Sequence, residues 1–212
     1  MQFETSSVVA SVSPDVRRLT FEAYRRAEAM GLVEPITSMD DFDVSGARKV
    51  LRSVKDAGIA RSSVLELETA DQANGEPTTN GHDIADLMRA VIAALEASPA
   101  PNSEWRSVAR VFDAEHLAPL LGISVSSLRR YQAGTRSTPD DVAARLHFLA
   151  LVISDLAGAY NDIGIRRWFQ RERTPLDDKT PAGLLTGEWS PEDEGPRRVR
   201  QLAQALVSLS GT

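Results

Sequence analysis

The stretch from Ala114 to Ala133, AEHLAPLLGISVSSLRRYQA, constrains this chain most, because two short apolar-periodic segments are separated by only Gly122-Ile123-Ser124. Leu117, Leu120 and Leu121 mark the inner side of the first segment, and Val125, Leu128 and Tyr131 that of the second. Ala118 is small where two steeply crossing helices need room. Gly122 lets the chain leave the first helix with positive φ, and Ser124 is placed to cap the second. This is the pattern of a helix-turn-helix, whose second helix enters the DNA major groove. Its outward positions are Ser124, Ser126, Ser127, Arg129, Arg130 and Gln132, rich in donors and free of acids, with Arg136 just beyond. An ordinary helical corner with a polar outer face shares the pattern, so charge is the next question.

The 212-residue chain carries a formal charge of −6, which argues against binding nucleic acid with its whole surface. The charge is uneven: residues 1–100 hold 10 basic and 16 acidic side chains and account for the whole excess, whereas residues 121–136 are +3. Any DNA contact is thus expected on one small patch, and a patch that small suggests a homodimer reading two half-sites of double-stranded operator DNA.

Several classes are set aside. No apolar run approaches the roughly 20 residues of a membrane span, and the first residues lack the basic start and apolar core of a signal peptide. There are no cysteines, which excludes disulfides and thiolate chemistry. The expectation is a cytoplasmic protein without a membrane partner. Asp41-Phe42-Asp43-Val44-Ser45-Gly46 opens like a calcium loop, but the ninth and twelfth positions are Lys49 and Arg52, which rejects the metal. His82, His116 and His147 have no metal-ligand spacing, and no phosphate-binding or nucleophile motif occurs. The chain is read as a non-enzyme without a cofactor.

Along the chain, Val8–Val12 and Val64–Leu67 are possible short strands. Helices are expected from Ser13-Pro14-Asp15 to Gly31, over residues 46–57, from Asp83 to a Pro-rich stop at residues 98–101, and from Glu104 to Phe112. The polar stretch 69–81, TADQANGEPTTNG, reads as a linker. After the helix-turn-helix, a long helix from Thr138-Pro139-Asp140 carries Val142, Leu146, Leu149, Ile153, Leu156 and Tyr160 in a 4-3-4-3-4 seam, fit to pack within its own domain or on a second copy. A further helix begins at Ser190-Pro191-Glu192 with Val199, Leu202, Leu206 and Leu209 inward. The fold expected is all-α: residues 1–70 an N-terminal helical region of unknown role, 71–82 a linker, 83–139 the DNA-binding domain, and 140–212 a small C-terminal helical domain.

That last domain carries a resemblance. Ile165-Arg166-Arg167-Trp168-Phe169, then Thr174-Pro175-Leu176, then Lys179-Thr180-Pro181 with Leu184-Leu185, and finally Gly195, Arg197-Arg198-Val199 and Leu202 follow one another in the order seen in the toxin-binding domain of the Xre/MbcA/ParS antitoxin family. With the preceding helix-turn-helix, the resemblance spans roughly residues 85–210. Residues 1–80 have no counterpart in the typical short antitoxin, and the segment 188–196 is longer and more acidic than usual. The resemblance implies an antitoxin of a type II toxin-antitoxin system that binds and blocks an NAD-consuming RES-domain toxin and represses its own operon. It places the toxin contact at Trp168, Phe169, Pro175, Leu176 and Pro181. Adjacent aromatics point about 100° apart on a helix, which leaves two arrangements open: one of Trp168 and Phe169 is free for the partner, or both are buried between three short helices. The alternative is a helix-turn-helix regulator with no toxin partner.

Overall fold

The computed structural model describes residues 13–35, 44–59 and 81–210, and these are all-helical, with no strand among them. The possible strands at residues 8–12 and 64–67, the opening of the rejected calcium loop at residues 41–43, and nearly all of the linker lie outside the described residues.

The helices are α1 (Pro14–Ala29), α2 (Val44–Asp56), α3 (Gly81–Ala97), α4 (Pro101–Val111), α5 (Ala114–Leu120), α6 (Val125–Gln132), α7 (Asp140–Leu156), α8 (Asp162–Gln170), α9 (Pro181–Leu184) and α10 (Glu194–Ser210), with a 3-10 turn at Thr174–Leu176. Their ends follow local chemistry. Pro14 and Pro101 occupy first-turn positions where a missing N–H costs nothing. Gly31 and Gly58 take φ of +72° and +79° just past α1 and α2, a conformation that residues with a Cβ resist. The final helix starts four residues later than its sequence signal: Ser190 opens a turn instead, its backbone N–H donating to the Asp193 carboxylate at 2.7 Å.

The centre of the molecule is α7. Thirteen of its residues are buried, including Ala143, Phe148, Ala150, Leu151 and Val152 beside the expected seam. A helix apolar around its whole circumference must be enclosed, and α7 is enclosed by α1, α4 and α10. The seam is therefore consumed within the chain, and it ends at Leu156, with Tyr160 beyond the helix and half-buried. α1 packs on α3 as well as on α7, and α2 packs on both α1 and α3. One apolar core runs without interruption from Val16 to Ala203. Among the described residues, side chains from before residue 71, from 83–139 and from 140–212 all contribute to it.

The core also contains charge. Glu104, fully buried, sits 2.6 Å from His147 Nδ1, and His147 Nε2 lies 3.0 Å from the Glu96 backbone oxygen. The Glu96 carboxylate accepts from Arg26 and Arg200, both at 2.8 Å, and Arg200 reaches towards buried Asp155. These contacts join α1, α3, α4, α7 and α10 through groups that burial would otherwise penalise.

Candidate nucleic-acid interface

The two helices of the opening motif are set by their caps. The Asp113 carboxylate accepts the His116 backbone N–H at 2.9 Å and also meets the His116 ring at 2.7 Å; these hydrogen bonds hold the Asp113 carboxyl below the usual carboxylate range. α5 then ends in a Schellman closure, with Ile123 N–H donating to the Ala118 carbonyl and Gly122 N–H to the Pro119 carbonyl. Gly122 has φ +66°. The Ser124 hydroxyl accepts from Ser127 N–H at 3.1 Å and opens α6. α6 closes as α5 does, Thr135 N–H donating to the Arg130 carbonyl and Gly134 N–H to that of Tyr131.

Leu117, Ala118, Leu120, Leu121, Leu128 and Tyr131 are buried, as the apolar spacing requires. Outward, Ser124, Ser126, Arg129, Arg130, Gln132 and Arg136 are exposed and Ser127 is half-buried. The three serine hydroxyls form one cluster at the start of α6, with Ser124 Oγ 3.0 Å from both Ser126 Oγ and Ser127 Oγ. The two arginines differ. Arg130 folds back on its own helix, its Nε donating to the Ser126 carbonyl at 3.3 Å, whereas Arg129 projects and meets Glu115 of α5 at 3.6 Å. Both members of that pair are about two-thirds exposed, so the contact is weak and easily exchanged for a phosphate or a base edge. Arg136 is held in a different manner. Its guanidinium lies 5.6 Å from the Tyr131 ring centre, Tyr131 stacks on Trp105, and Trp105 Nε1 donates to the Thr138 hydroxyl at 2.9 Å.

The turn between α5 and α6 has a second support, which the sequence reading missed. Arg145 of α7 donates to the Leu121 carbonyl at 3.0 Å and to the Trp189 carbonyl at 2.8 Å, while Trp189 Nε1 donates to the Leu120 carbonyl at 3.0 Å. The carbonyls left open at the end of α5 are thereby filled from residues far along the chain. The long acidic segment at 188–196 contributes the tryptophan of this clamp.

Of the two arrangements that the sequence leaves open for the aromatics of α8, the structure has the buried one. Trp168 and Phe169 are both buried, at 1 % and 0 % exposure, so neither aromatic is left on the surface. The two rings point in different directions and each meets its own neighbour. Phe169 packs edge-on to Phe112 at 5.1 Å on one side, and Trp168 lies under Arg173 at 5.3 Å on the other. Leu176 and Pro181 are buried too; Pro175 alone of the five is exposed. Its turn is latched to α10 by Arg198, which donates to the Pro175 carbonyl and to the Asp177 carboxylate, both at 2.8 Å, holding the Asp177 carboxyl below its ordinary value.

No group of metal-ligating side chains occurs among the described residues, and no described helix is long and apolar enough to cross a membrane. Comparison with protein-family models, curated proteins and solved structures yields no match.

Proposed function

We propose that the chain is a sequence-specific DNA-binding repressor of the antitoxin type, in which α6 is the recognition helix. One observation carries the DNA half of this reading: the outer face of α6 is an exposed, acid-free set of hydroxyl, amide and guanidinium donors on a helix whose inner face is buried. Arg129, Ser126 and Ser127 face base edges, the free N–H groups at the start of α6 and Arg136 hold phosphates, and Arg129 exchanges Glu115 for the DNA on docking. Replacement of Arg129 by alanine should then cost about 1–3 kcal/mol on the chain's own promoter sequence and far less on scrambled duplex of equal length. Equal losses on both duplexes would make Arg129 a phosphate contact and remove it from sequence reading. No binding to either by the unaltered chain at low salt, where electrostatic affinity is greatest, would overturn the DNA reading altogether.

The partner half rests on the resemblance to the Xre/MbcA/ParS family. A RES-domain toxin would meet the exposed turn at Pro175, with Trp168, Phe169, Leu176 and Pro181 shaping that surface from beneath. Co-purification with the product of the adjacent gene tests it: a stable complex that still shifts the promoter supports the antitoxin role. A specific observation favours the second reading, a regulator without a toxin. α1, which has no counterpart in short antitoxins, is packed into the same core as the DNA-binding helices. A promoter shift by the chain alone, with no partner recovered, would select that reading.

A further inference from the structure

A cleft of about 220 Å³ is lined by Tyr160, Gly164, Arg167, Trp168, Arg171 and Arg173. Three of these six residues are arginines and none is acidic. Arg167 and Arg171 are exposed and Arg173 is half-buried. None of the three guanidiniums donates to a carboxylate or carbonyl among the described residues, in contrast to Arg26, Arg145, Arg166, Arg198 and Arg200, each of which has an oxygen partner.

Arg173 is fixed at its backbone and held only by a ring contact at its head. Its backbone N–H donates to the Lys179 carbonyl at 3.1 Å, and its guanidinium lies over the Trp168 ring. Within that stack, two buried N–H groups have no acceptor among the described residues, Trp168 Nε1 and Arg173 Nε. Buried N–H groups rarely go unpaired, and this pair, beside the exposed guanidiniums of Arg167 and Arg171, asks for an acceptor from outside the chain. Gly164 gives the wall its shape: a Cβ there would stand 3.0 Å from that of Tyr160.

Charge and size narrow the class of ligand. Three guanidiniums exceed what a single carboxylate neutralises but suit a phosphate carrying nearly two negative charges, whose oxygens match the forked donors of arginine. The volume is below the roughly 300 Å³ at which pockets begin to enclose whole small molecules, so the cleft receives a group and leaves the remainder of the ligand in solvent. We propose that this cleft binds the phosphate group of a small organic phosphate. Arg167 and Arg171 take its outer oxygens, and Arg173 moves off the indole so that its Nε and the Trp168 N–H reach the inner one. The site is separate from the face of α6 and does not depend on the DNA reading.

Trp168 reports on this directly. In the 15N-labelled full chain, with ionic strength held by sodium chloride, inorganic phosphate and then adenosine 5′-monophosphate should move the Trp168 indole signal saturably. The hydrogen-bonded indoles of Trp105 and Trp189 should stay in place. The double variant Arg167→Gln/Arg171→Gln, altered only at exposed positions, should fold as the parent does and bind phosphate about tenfold more weakly or worse. Parallel drift of all three indoles, no movement with either phosphate, or a double variant that titrates like the parent would each overturn the proposal. So would a Trp168 signal that moves only with duplex DNA, which would make the cleft a contact for the nucleic-acid backbone.

Discussion

Asp155 is 5 % exposed near the end of the central helix, facing Arg25, Arg26 and Arg200 and the carboxylate of Glu96. Burial pushes its carboxyl up to about 6 against the pull of the arginines. The folded state therefore holds this proton more tightly than the unfolded chain does, and stability falls as pH rises from about 4 through about 6. Asp155→Asn cannot lose a proton, so relative to the parent it should gain roughly 2–3 kcal/mol between pH 4 and pH 7. Urea denaturation at both pH values measures it; a difference that does not change with pH would mean that the folded carboxyl titrates normally. Gly122 is the opposite kind of residue, fixed by space. A Cβ there would stand 2.7 Å from the Gly187 carbonyl oxygen and 2.8 Å from Arg145 Nη1, at φ +66°. Gly122→Ala should cost about 1–2 kcal/mol for the left-handed backbone alone, with the clash adding to it. Thermal melts would show the loss, and an unchanged midpoint would mean that the turn rearranges freely. The need for Gly122 is legible in the sequence, because a glycine after an apolar-periodic run is a local signal. The Asp155 environment is not: its charged neighbours come from residues 25, 26, 96 and 200.

The same division holds between elements. α5 and α6 were readable because their caps and closing glycines lie within a few positions of the groups they satisfy. The clamp at the end of α5 was not, since Trp189 and Leu120 are 69 positions apart. Nor was the burial of both Trp168 and Phe169, which depends on what flanks α8 and not on the spacing within it. Trp189 also packs edge-on to Phe148 at 5.2 Å and carries Arg145 against its ring. Trp189→Phe keeps most of the ring contact and removes the N–H that serves Leu120, which should cost about 1 kcal/mol. Because that hydrogen bond holds the turn into α6, the variant's amides at residues 121–124 should exchange faster than the global loss of stability explains. Exchange that accelerates uniformly over all helices would make Trp189 a general core residue and remove its particular hold on the turn into α6.

At the scale of the whole molecule, the question is whether α1 is an appendage to the body formed by residues 81–210 or part of what makes that body fold. A compositional boundary in the sequence points to the first. The packing points to the second, since α1 lies against both α3 and α7 and buries Val16, Leu19, Ala23, Tyr24, Ala27 and Met30. It also delivers Arg26 to Glu96 and Arg25 to the backbone carbonyl of Ser154. Without α1, the apolar sides of α3 and α7 would face water, and Glu96 and Asp155 would keep Arg200 as their remaining close cation. Losing the burial of the four large ones, Val16, Leu19, Tyr24 and Met30, at roughly 1.5–3 kcal/mol each, is comparable with the 5–15 kcal/mol that holds an ordinary domain together. A chain beginning at residue 81 should thus keep helical far-ultraviolet dichroism yet lose its near-ultraviolet signal and cooperative unfolding, as a collapsed state without fixed packing does. If instead it melts cooperatively near the parent's midpoint, the N-terminal helices are an added module that the rest of the chain does not need in order to fold.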